Sequence, residues 1–165
     1  MNKKFVFDLD GVLRELYIPL EKMYNYKITA WDTLYKGKDV VELIDEKLSI
    51  LLKAPSSKYL NIVKKCFDEI EIWTWQKKSW RKNTLKWINK NFKNKKVKVR
   101  FLTMEQKAQR LKENKNIYLV EDYPMYRNYN RIILIDKIYN KKSKAKIRVK
   151  KVRELEKILE RGGEK

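Results

Sequence analysis

Two acidic residues separated by a single residue follow a short hydrophobic segment near the start of the chain. The segment reads FVFDLDGVL and places Asp8 and Asp10 after apolar residues that are typical of a buried strand. Alternation along the strand would direct both carboxylates to one side, and Gly11 allows a sharp turn behind them. Such close carboxylates repel each other unless a cation or a shared proton compensates. Oxygen ligands suit a hard divalent ion, and we predict Mg²⁺.

The composition excludes several other kinds of catalytic site. The chain contains no His and one Cys, Cys66. Nucleophiles activated by His, and zinc sites built on His or on a Cys cluster, are therefore excluded. A single Cys cannot form an internal disulfide, so we expect a reducing, cytoplasmic compartment, and an apolar pattern places Cys66 in the core. The segment FVFDLDGVL is too short and too acidic for a membrane span or a signal peptide, and we expect no membrane partner.

The residues from Asp8 to Leu13 resemble the first motif of the haloacid dehalogenase-like (HAD-like) phosphohydrolases, Asp-x-Asp-Gly-(Thr/Val)-Leu after a hydrophobic strand. The resemblance implies that Asp8 attacks phosphorus and forms an aspartyl-phosphate. It implies that Asp10 protonates the leaving oxygen and then activates the hydrolytic water. It further implies a Mg²⁺ ion held by the Asp8 carboxylate, the main-chain carbonyl of Asp10 and a later acid. An acid at the second position favours a phosphatase over a dehalogenase.

The second motif of that family is a hydroxyl residue at the end of the next strand. The segment EIEIWTWQ provides Thr74, whose hydroxyl group would bind a phosphoryl oxygen. The following residues resemble a subgroup of small phosphatases in which Trp-Thr-x-Gln precedes a helix that carries Trp. Gly11, Trp75 and Gln76 are therefore candidate contacts of the substrate, although Trp75 could equally belong to the core.

The third and fourth motifs are a lysine and a second acid-tipped strand. Lys107 is the predicted lysine, which would offset the charge of the nucleophile and the phosphoryl group, with Lys112 and Lys115 as alternatives. The segment NIYLVEDYP ends in two acids. The resemblance makes Asp122 the remaining metal ligand and places Glu121 behind it, where Glu121 would orient water or Lys107.

The C-terminal part narrows the resemblance to the 5′(3′)-deoxyribonucleotidases and their relatives. The segments RIILIDKIYN and IRVKKVRELEKIL follow their order of a strand, Pro-Tyr-Asn, Arg-Val and a helix. Here Ile138 replaces the Pro, and Arg153 stands near an expected Trp. The resemblance implies a nucleotide substrate, while an insertion shorter than that of a true deoxyribonucleotidase leaves the nucleotide specificity open.

These motifs need a parallel sheet to bring them together. Hydrophobic patterning predicts strands at Lys4–Leu9, Glu69–Thr74, Val97–Thr103, Asn116–Val120, Arg131–Ile135 and Lys146–Val149. Helices are predicted over most of residues 15–67, after Ser79, over Glu105–Glu113 and from Val152 onward. Asp39 is the predicted N-cap of one helix, and Ser56 or Ser57 of the next.

Strands that alternate with helices predict a three-layer α/β fold with a parallel, Rossmann-like sheet. We expect a single HAD-like domain over residues 1–165, with a small helical cap inserted at residues 14–68. Five aromatic residues fall in this cap, and their rings could stack on a nucleobase or form the core of the cap. They are Tyr17, Tyr24, Tyr26, Trp31 and Tyr35.

The charge is distributed unevenly along the chain. Residues 1–75 hold 12 Lys or Arg and 12 Asp or Glu, whereas residues 76–165 hold 29 and 9, so the net charge of +20 comes from the second part. This asymmetry indicates a polyanionic partner or a lysine-rich composition spread over solvated surfaces. The predicted function is a Mg²⁺-dependent phosphomonoesterase acting on a nucleotide. The alternatives are a phosphatase of nucleic-acid ends and a catalytically silent nucleic-acid-binding protein.

Overall fold

The computed structural model describes residues 3–30, 33–123 and 130–163. Six strands form one sheet, and every neighbouring pair in it is parallel. They are β1 (Lys4–Phe7), β2 (Glu69–Thr74), β3 (Lys96–Phe101), β4 (Ile117–Glu121), β5 (Ile132–Ile135) and β6 (Ile147–Val149). The order across the sheet is β3-β2-β1-β4-β5-β6, which is that of a doubly wound, Rossmann-like sheet. The prediction of a parallel α/β sheet is confirmed.

Seven α-helices lie within the described residues. They are α1 (Tyr17–Tyr24), α2 (Val40–Glu46), α3 (Ile50–Lys53), α4 (Leu60–Cys66), α5 (Arg81–Asn91), α6 (Met104–Glu113) and α7 (Val152–Gly163). Two short 3₁₀ turns also lie in this part of the chain: Lys78–Trp80 precedes α5, and Ile138–Asn140 follows β5. None of the helices in residues 3–30, 33–123 and 130–163 is long and apolar enough to cross a membrane.

Helices cover both faces of the sheet, because its central strands are apolar on both sides. On one face, α4, α5 and α7 supply buried residues such as Val63, Trp87 and Leu155 to the main core. Cys66 packs partly buried against this core. On the other face, Leu111 of α6 packs against a smaller cluster that includes Leu119.

On the α6 face, the strands β1 to β3 carry a charged cluster centred on Glu71. Lys4 and Arg100 approach the Glu71 carboxylate at 2.7 and 2.6 Å, and the Trp73 indole donates to it at 2.8 Å. Burial alone would raise the pKa of Glu71, but these three hydrogen bonds outweigh it and lower the pKa to about 2. The carboxylate therefore stays ionised and links β2 to its neighbours β1 and β3 through Lys4 and Arg100.

The chain between β1 and β2 forms a helical insertion with a core of its own. Leu20, Ile44 and Leu51 of α1 to α3 share one buried cluster, whereas α4 belongs to the main core. The rings of Tyr24 and Tyr26 lie 5.1 and 5.3 Å from that of Tyr35 and contribute to the insertion's core. Trp31 lies outside the described residues. The extent of the cap, residues 14–68, stays a prediction.

Several predicted boundaries differ from the structure. Residues 25–30 and 33–35 are not helical, and α2 begins where Asp39 forms the expected capping box with Glu42. Thr103 does not end β3 but caps α6, because its hydroxyl accepts a hydrogen bond from the main-chain amide of Gln106. Ser79 does not cap a helix, since it lies within the 3₁₀ turn before α5. The Ser57 hydroxyl accepts the Tyr59 amide just ahead of α4.

Candidate active site

The predicted acids lie where the strand order of the sheet reverses. From β1 the chain proceeds to β2 and β3 on one side, and β4, β5 and β6 lie on the other. Asp8 follows the end of β1, and Asp122 follows the end of the adjacent β4. Open parallel sheets bind ligands in the crevice at this point, outside the carboxyl ends of the strands. The two acids therefore lie in the crevice where such sheets bind ligands.

Lys107 lies between the two acid-tipped strands. Its ammonium group is buried and donates to Asp8 Oδ1 at 2.7 Å and to Glu121 Oε2 at 2.9 Å. Burial lowers the pKa of a lysine, but the charges and hydrogen bonds of Asp8 and Glu121 outweigh it, and the pKa of Lys107 is raised. The alternatives Lys112 and Lys115 are exposed, so of the three lysines only Lys107 contacts the site.

Three buried carboxylates cluster beside this single ammonium group, and two of them contact it. Oxygen atoms of Asp8, Glu121 and Asp122 lie within 4.8 Å of one another. Burial, together with the charge of Glu121, raises the pKa of Asp8 and the pKa of Asp122 despite the opposing effect of nearby lysines. A cluster with more buried negative than positive charge would be stabilised by a further cation. An oxygen-only donor set of this kind could hold a metal ion.

The three carboxylates are not equally available to an ion. Glu121 Oε1 accepts the main-chain amides of Asp122 and Tyr123 at 3.1 and 3.3 Å, and its Oε2 is paired with Lys107. Asp8 Oδ2 accepts no hydrogen bond from the described residues. Asp8 and Asp122 are therefore better placed to bind an ion, and Glu121 supports the amides and the lysine around them.

Asp122 is held against the loop that carries Asp10. The Tyr139 hydroxyl donates to Asp122 Oδ2, and the Asn140 amide donates to its main-chain oxygen at 2.7 Å. Gly11 has a φ of +79°, and a Cβ there would lie 1.9 Å from Asp122 Oδ2. Gly11 therefore serves the close packing of the two loops. Sequence reasoning noted Tyr139 and Asn140 within a family segment but gave them no role.

Asp10 is tied to a network that joins three parts of the fold. The Arg14 guanidinium donates to Asp10 Oδ1 and Oδ2 at 2.6 and 2.9 Å, and the Gln76 amide donates to Oδ2 at 2.7 Å. Arg14 is fully buried and also donates to the Leu51 carbonyl of α3 at 2.9 Å. The Thr84 hydroxyl of α5 donates to Gln76 at 2.7 Å. Sequence reasoning missed Arg14, and its one signal was a charge placed inside an apolar run.

A cavity of about 260 Å³ opens above these residues. Its polar lining includes Asp8, Asp10, Thr74, Lys107, Glu121 and Asp122. Its apolar lining includes Leu16, Val40, Val41, Trp75 and Met104, of which the first three belong to the insertion. Thr74 is buried, and its hydroxyl forms no hydrogen bond with the described residues, so it can bind a ligand's oxygen. Gly11 and Gln76 lie behind the lining.

No family model matches this chain, and no curated protein is similar enough to count as a relative. The sheet, the buried acids and the cavity are features of the chain itself. What the chain does must therefore be inferred from the geometry of its own residues.

Proposed function

We propose that this chain is a Mg²⁺-dependent phosphomonoesterase of the HAD-like type, with Asp8 as nucleophile and Asp10 as general acid and base. The observation that carries the proposal is the buried Asp8–Lys107–Glu121 chain beside Asp122, at the ligand-binding edge of a doubly wound sheet. A phosphate ester needs a nucleophile, balancing positive charge and donors for its oxygens, and the cavity contains a candidate for each.

The proposed reaction proceeds in two steps. Asp8 Oδ2 forms a bond to phosphorus while the bond from phosphorus to the leaving oxygen breaks, and Asp10 gives that oxygen a proton. Water then attacks the aspartyl-phosphate, Asp10 takes a proton from it, and inorganic phosphate leaves with the Asp8 carboxylate restored. Lys107 and the Thr74 hydroxyl stabilise the phosphoryl oxygens in both steps.

Asp10 lies at the mouth of the cavity, where the proposed proton transfers take place. Arg14 and Gln76 fix the direction of its carboxyl group, and Asp10 is partly exposed to the cavity they flank. General acid and base assistance of this kind typically contributes about 10²–10⁴-fold to the rate. Because Arg14 also binds the insertion through Leu51, the position of Asp10 depends on the packing of the cap.

The proposed metal ligands are the Asp8 and Asp122 carboxylates and the main-chain carbonyl of Asp10. The excess of buried carboxylates over ammonium groups fits a divalent cation, and the donors are the hard oxygens that Mg²⁺ prefers. When bound, Mg²⁺ would supply positive charge against the phosphoryl oxygens. Glu121 orients Lys107 in this arrangement and stays out of the ligand set.

The cavity favours a small organic group on the phosphate. Its volume of about 260 Å³ is near the lower end of the range for ligand pockets, about 300–1,000 Å³. Its apolar walls, Leu16, Val40, Val41 and Met104, suit a ring or a short apolar chain. We therefore propose that the cavity itself encloses the phosphate and an organic group no larger than one nucleoside, with a nucleotide as the first candidate.

The direct test is a phosphatase screen with Mg²⁺ over nucleotides, sugar phosphates and p-nitrophenyl phosphate. Asp8→Asn should lower kcat at least about 10³-fold, because an amide cannot attack phosphorus. Asp68→Asn removes an exposed acid from the opposite edge of the sheet and serves as the matched control. EDTA should abolish turnover and added Mg²⁺ should restore it. Near-normal turnover by Asp8→Asn would refute the proposed nucleophile.

A further inference from the structure

The longest acid-free stretch of the chain runs from residue 72 to residue 104 and contains 11 Lys or Arg. Four of these cations pair with acids elsewhere in the fold. They are Lys77, Lys95, Lys96 and Arg100. The others leave a surface of unbalanced positive charge on and around α5.

The outer side of α5 carries a single row of lysines. Lys82, Lys86 and Lys90 follow each other at spacings of four residues, which aligns them along one side of the helix. Lys93 follows in the turn just after α5 ends at Asn91. All four are exposed, and none forms an ion pair with a residue in the described ranges. We name these four residues the α5 lysine row. They repel one another, and a polyanion would remove this repulsion.

The α5 lysine row leads towards the candidate active site. Helix α5 connects the carboxyl end of β2 to the amino end of β3, so it starts at the edge of the sheet that carries Asp8. Trp75 lies at this end, lines the cavity, and is 40% exposed. Its ring packs edge-on against Trp80 at 5.8 Å, which holds it in place. An exposed, fixed indole at the mouth of a cavity can stack on a base.

We propose that a single-stranded nucleic acid binds along the α5 lysine row, with its terminal base on Trp75 and its terminal phosphate in the cavity. The helical part of the row, from Lys82 to Lys90, spans about 12 Å, the length of about three or four stacked nucleotides. Hydrolysis of that phosphate rests on the proposed function: water is consumed, and the alcohol end of the strand and inorganic phosphate are released. Binding along the row does not depend on that function.

A membrane surface fits the same residues less well. Helices that bind membranes bury an apolar face in the lipid, and the apolar face of α5 is already occupied. Thr84, Trp87 and Ile88 are buried in the protein on that side. A single strand offers both the phosphates and the base that this surface can use.

The test measures the binding of two single-stranded DNA probes by fluorescence anisotropy, from low to high KCl. One probe carries a 5′ phosphate and a 3′ label, and the other carries a 3′ phosphate and a 5′ label. Asp8→Asn serves as the background, so that no probe is hydrolysed. Replacing Lys82, Lys86 and Lys90 by Gln should flatten the log–log salt slope by about 2, since each contact contributes about −0.7, and weaken binding about 10²-fold at 0.1 M salt. Trp75→Ala should weaken binding about tenfold, and Trp75→Phe much less.

The matched control replaces Lys141, Lys142 and Lys144 by Gln. These lysines are exposed and precede β6, at the opposite edge of the sheet from β3, and their loss removes the same charge. If both triple variants weaken DNA binding equally, the effect is one of net charge alone, and binding along the α5 lysine row is refuted. Salt-sensitive binding to phosphatidylserine vesicles in place of DNA would refute it in favour of a membrane.

The two proposals can fail separately. Turnover of p-nitrophenyl phosphate without salt-sensitive DNA binding would refute the row and leave the phosphatase standing. DNA binding that is weakened by substitutions in the α5 lysine row, without turnover of any phosphomonoester, would refute the phosphatase and leave the binding site standing. Circular dichroism checks the fold of the triple variant, and Lys86→Gln alone, with an expected slope change of about 0.7, replaces it if the fold is lost.

Discussion

Replacing Gly11 by alanine would place a methyl group where the structure has the Asp122 carboxyl group. The added Cβ would lie 1.9 Å from Asp122 Oδ2, 2.5 Å from its Cγ and 2.8 Å from the Tyr139 hydroxyl oxygen, all below the 3.0 Å that real Cβ atoms respect. Asp122 cannot simply swing away, because Tyr139 binds its side chain and Asn140 binds its main-chain oxygen. The loop after β1 and the end of β4 would therefore have to separate.

Gly37 allows the size of this effect to be isolated. It has the same φ of +79°, yet a Cβ there would meet no atom within 4 Å. Alanine at this φ costs about 1 kcal/mol in backbone strain at either position. Forcing a methyl group into a packed site adds about 1–3 kcal/mol. Gly37→Ala should therefore lose about 1 kcal/mol of unfolding free energy and Gly11→Ala about 2–4 kcal/mol.

Urea unfolding, followed by circular dichroism and by tryptophan fluorescence, measures both losses, provided that the m-values agree. Gly11→Ala should also need more Mg²⁺ for turnover, because the displaced Asp122 is a proposed ligand. Equal losses of stability in the two variants would refute the reasoning. They would show that backbone strain accounts for Gly11 and that its contact with Asp122 does not constrain the loop.

Two further predictions concern buried or paired charges. Lys107→Met should lower the unfolding free energy by about 3 kcal/mol, because it leaves Asp8 and Glu121 without their buried cation. The control Lys112→Met, on the exposed side of α6, should change the unfolding free energy by less than about 0.5 kcal/mol. Equal stability of the two variants in urea would contradict this prediction. The pKa of Glu71 is lowered from 4.5 to about 2, so its contribution is complete above pH 4.5 and is lost as the pH falls towards 2. With solvent screening it amounts to about 1 kcal/mol, of which about half is lost between pH 6 and pH 3, because the pKa in the folded protein lies lower still. The stability gap between wild type and Glu71→Gln should shrink by about 0.5 kcal/mol over this range, and a gap that does not vary with pH would rule it out.

The sheet could be read from the sequence because its strands are short apolar runs. Each of the six predicted strands overlaps a strand of the structure, since buried parallel strands need apolar residues on both faces. The insertion was harder to predict. Residues 25–30 and 33–35 are not helical although their neighbours follow a helical pattern, and Ile28 and Tyr35 pack into the core that α1 and α2 share. The extension of β3 to Thr103 was wrong because a capping hydroxyl and a strand residue look alike without their partners.

Only those site residues whose positions follow from the local sequence pattern could be predicted. Asp8 and Asp122 stand at the ends of apolar strands, and the parallel topology brings such ends together. Lys107 could not be separated from Lys112 and Lys115 by sequence, because the choice depends on which side of α6 faces the sheet. Arg14 was missed because its partners come from α3 and α5, which are distant in sequence.

The central position of β1 has a consequence for the order in which the molecule forms during synthesis. Lys107 is 99 residues from Asp8 in the chain, and β4 follows Lys107, so β1 gains its second neighbour in the sheet only after β2, β3 and α6 have been synthesised. At a synthesis rate of about 5–20 residues per second, the wait is on the order of ten seconds. Pairings between such distant segments are also the slow ones in folding. Asp8 is thus synthesised well before its partner Lys107 and before β4, the strand that carries Glu121. A nascent chain that stops before residue 121 contains Asp8 but lacks Glu121 and Asp122 of the candidate site.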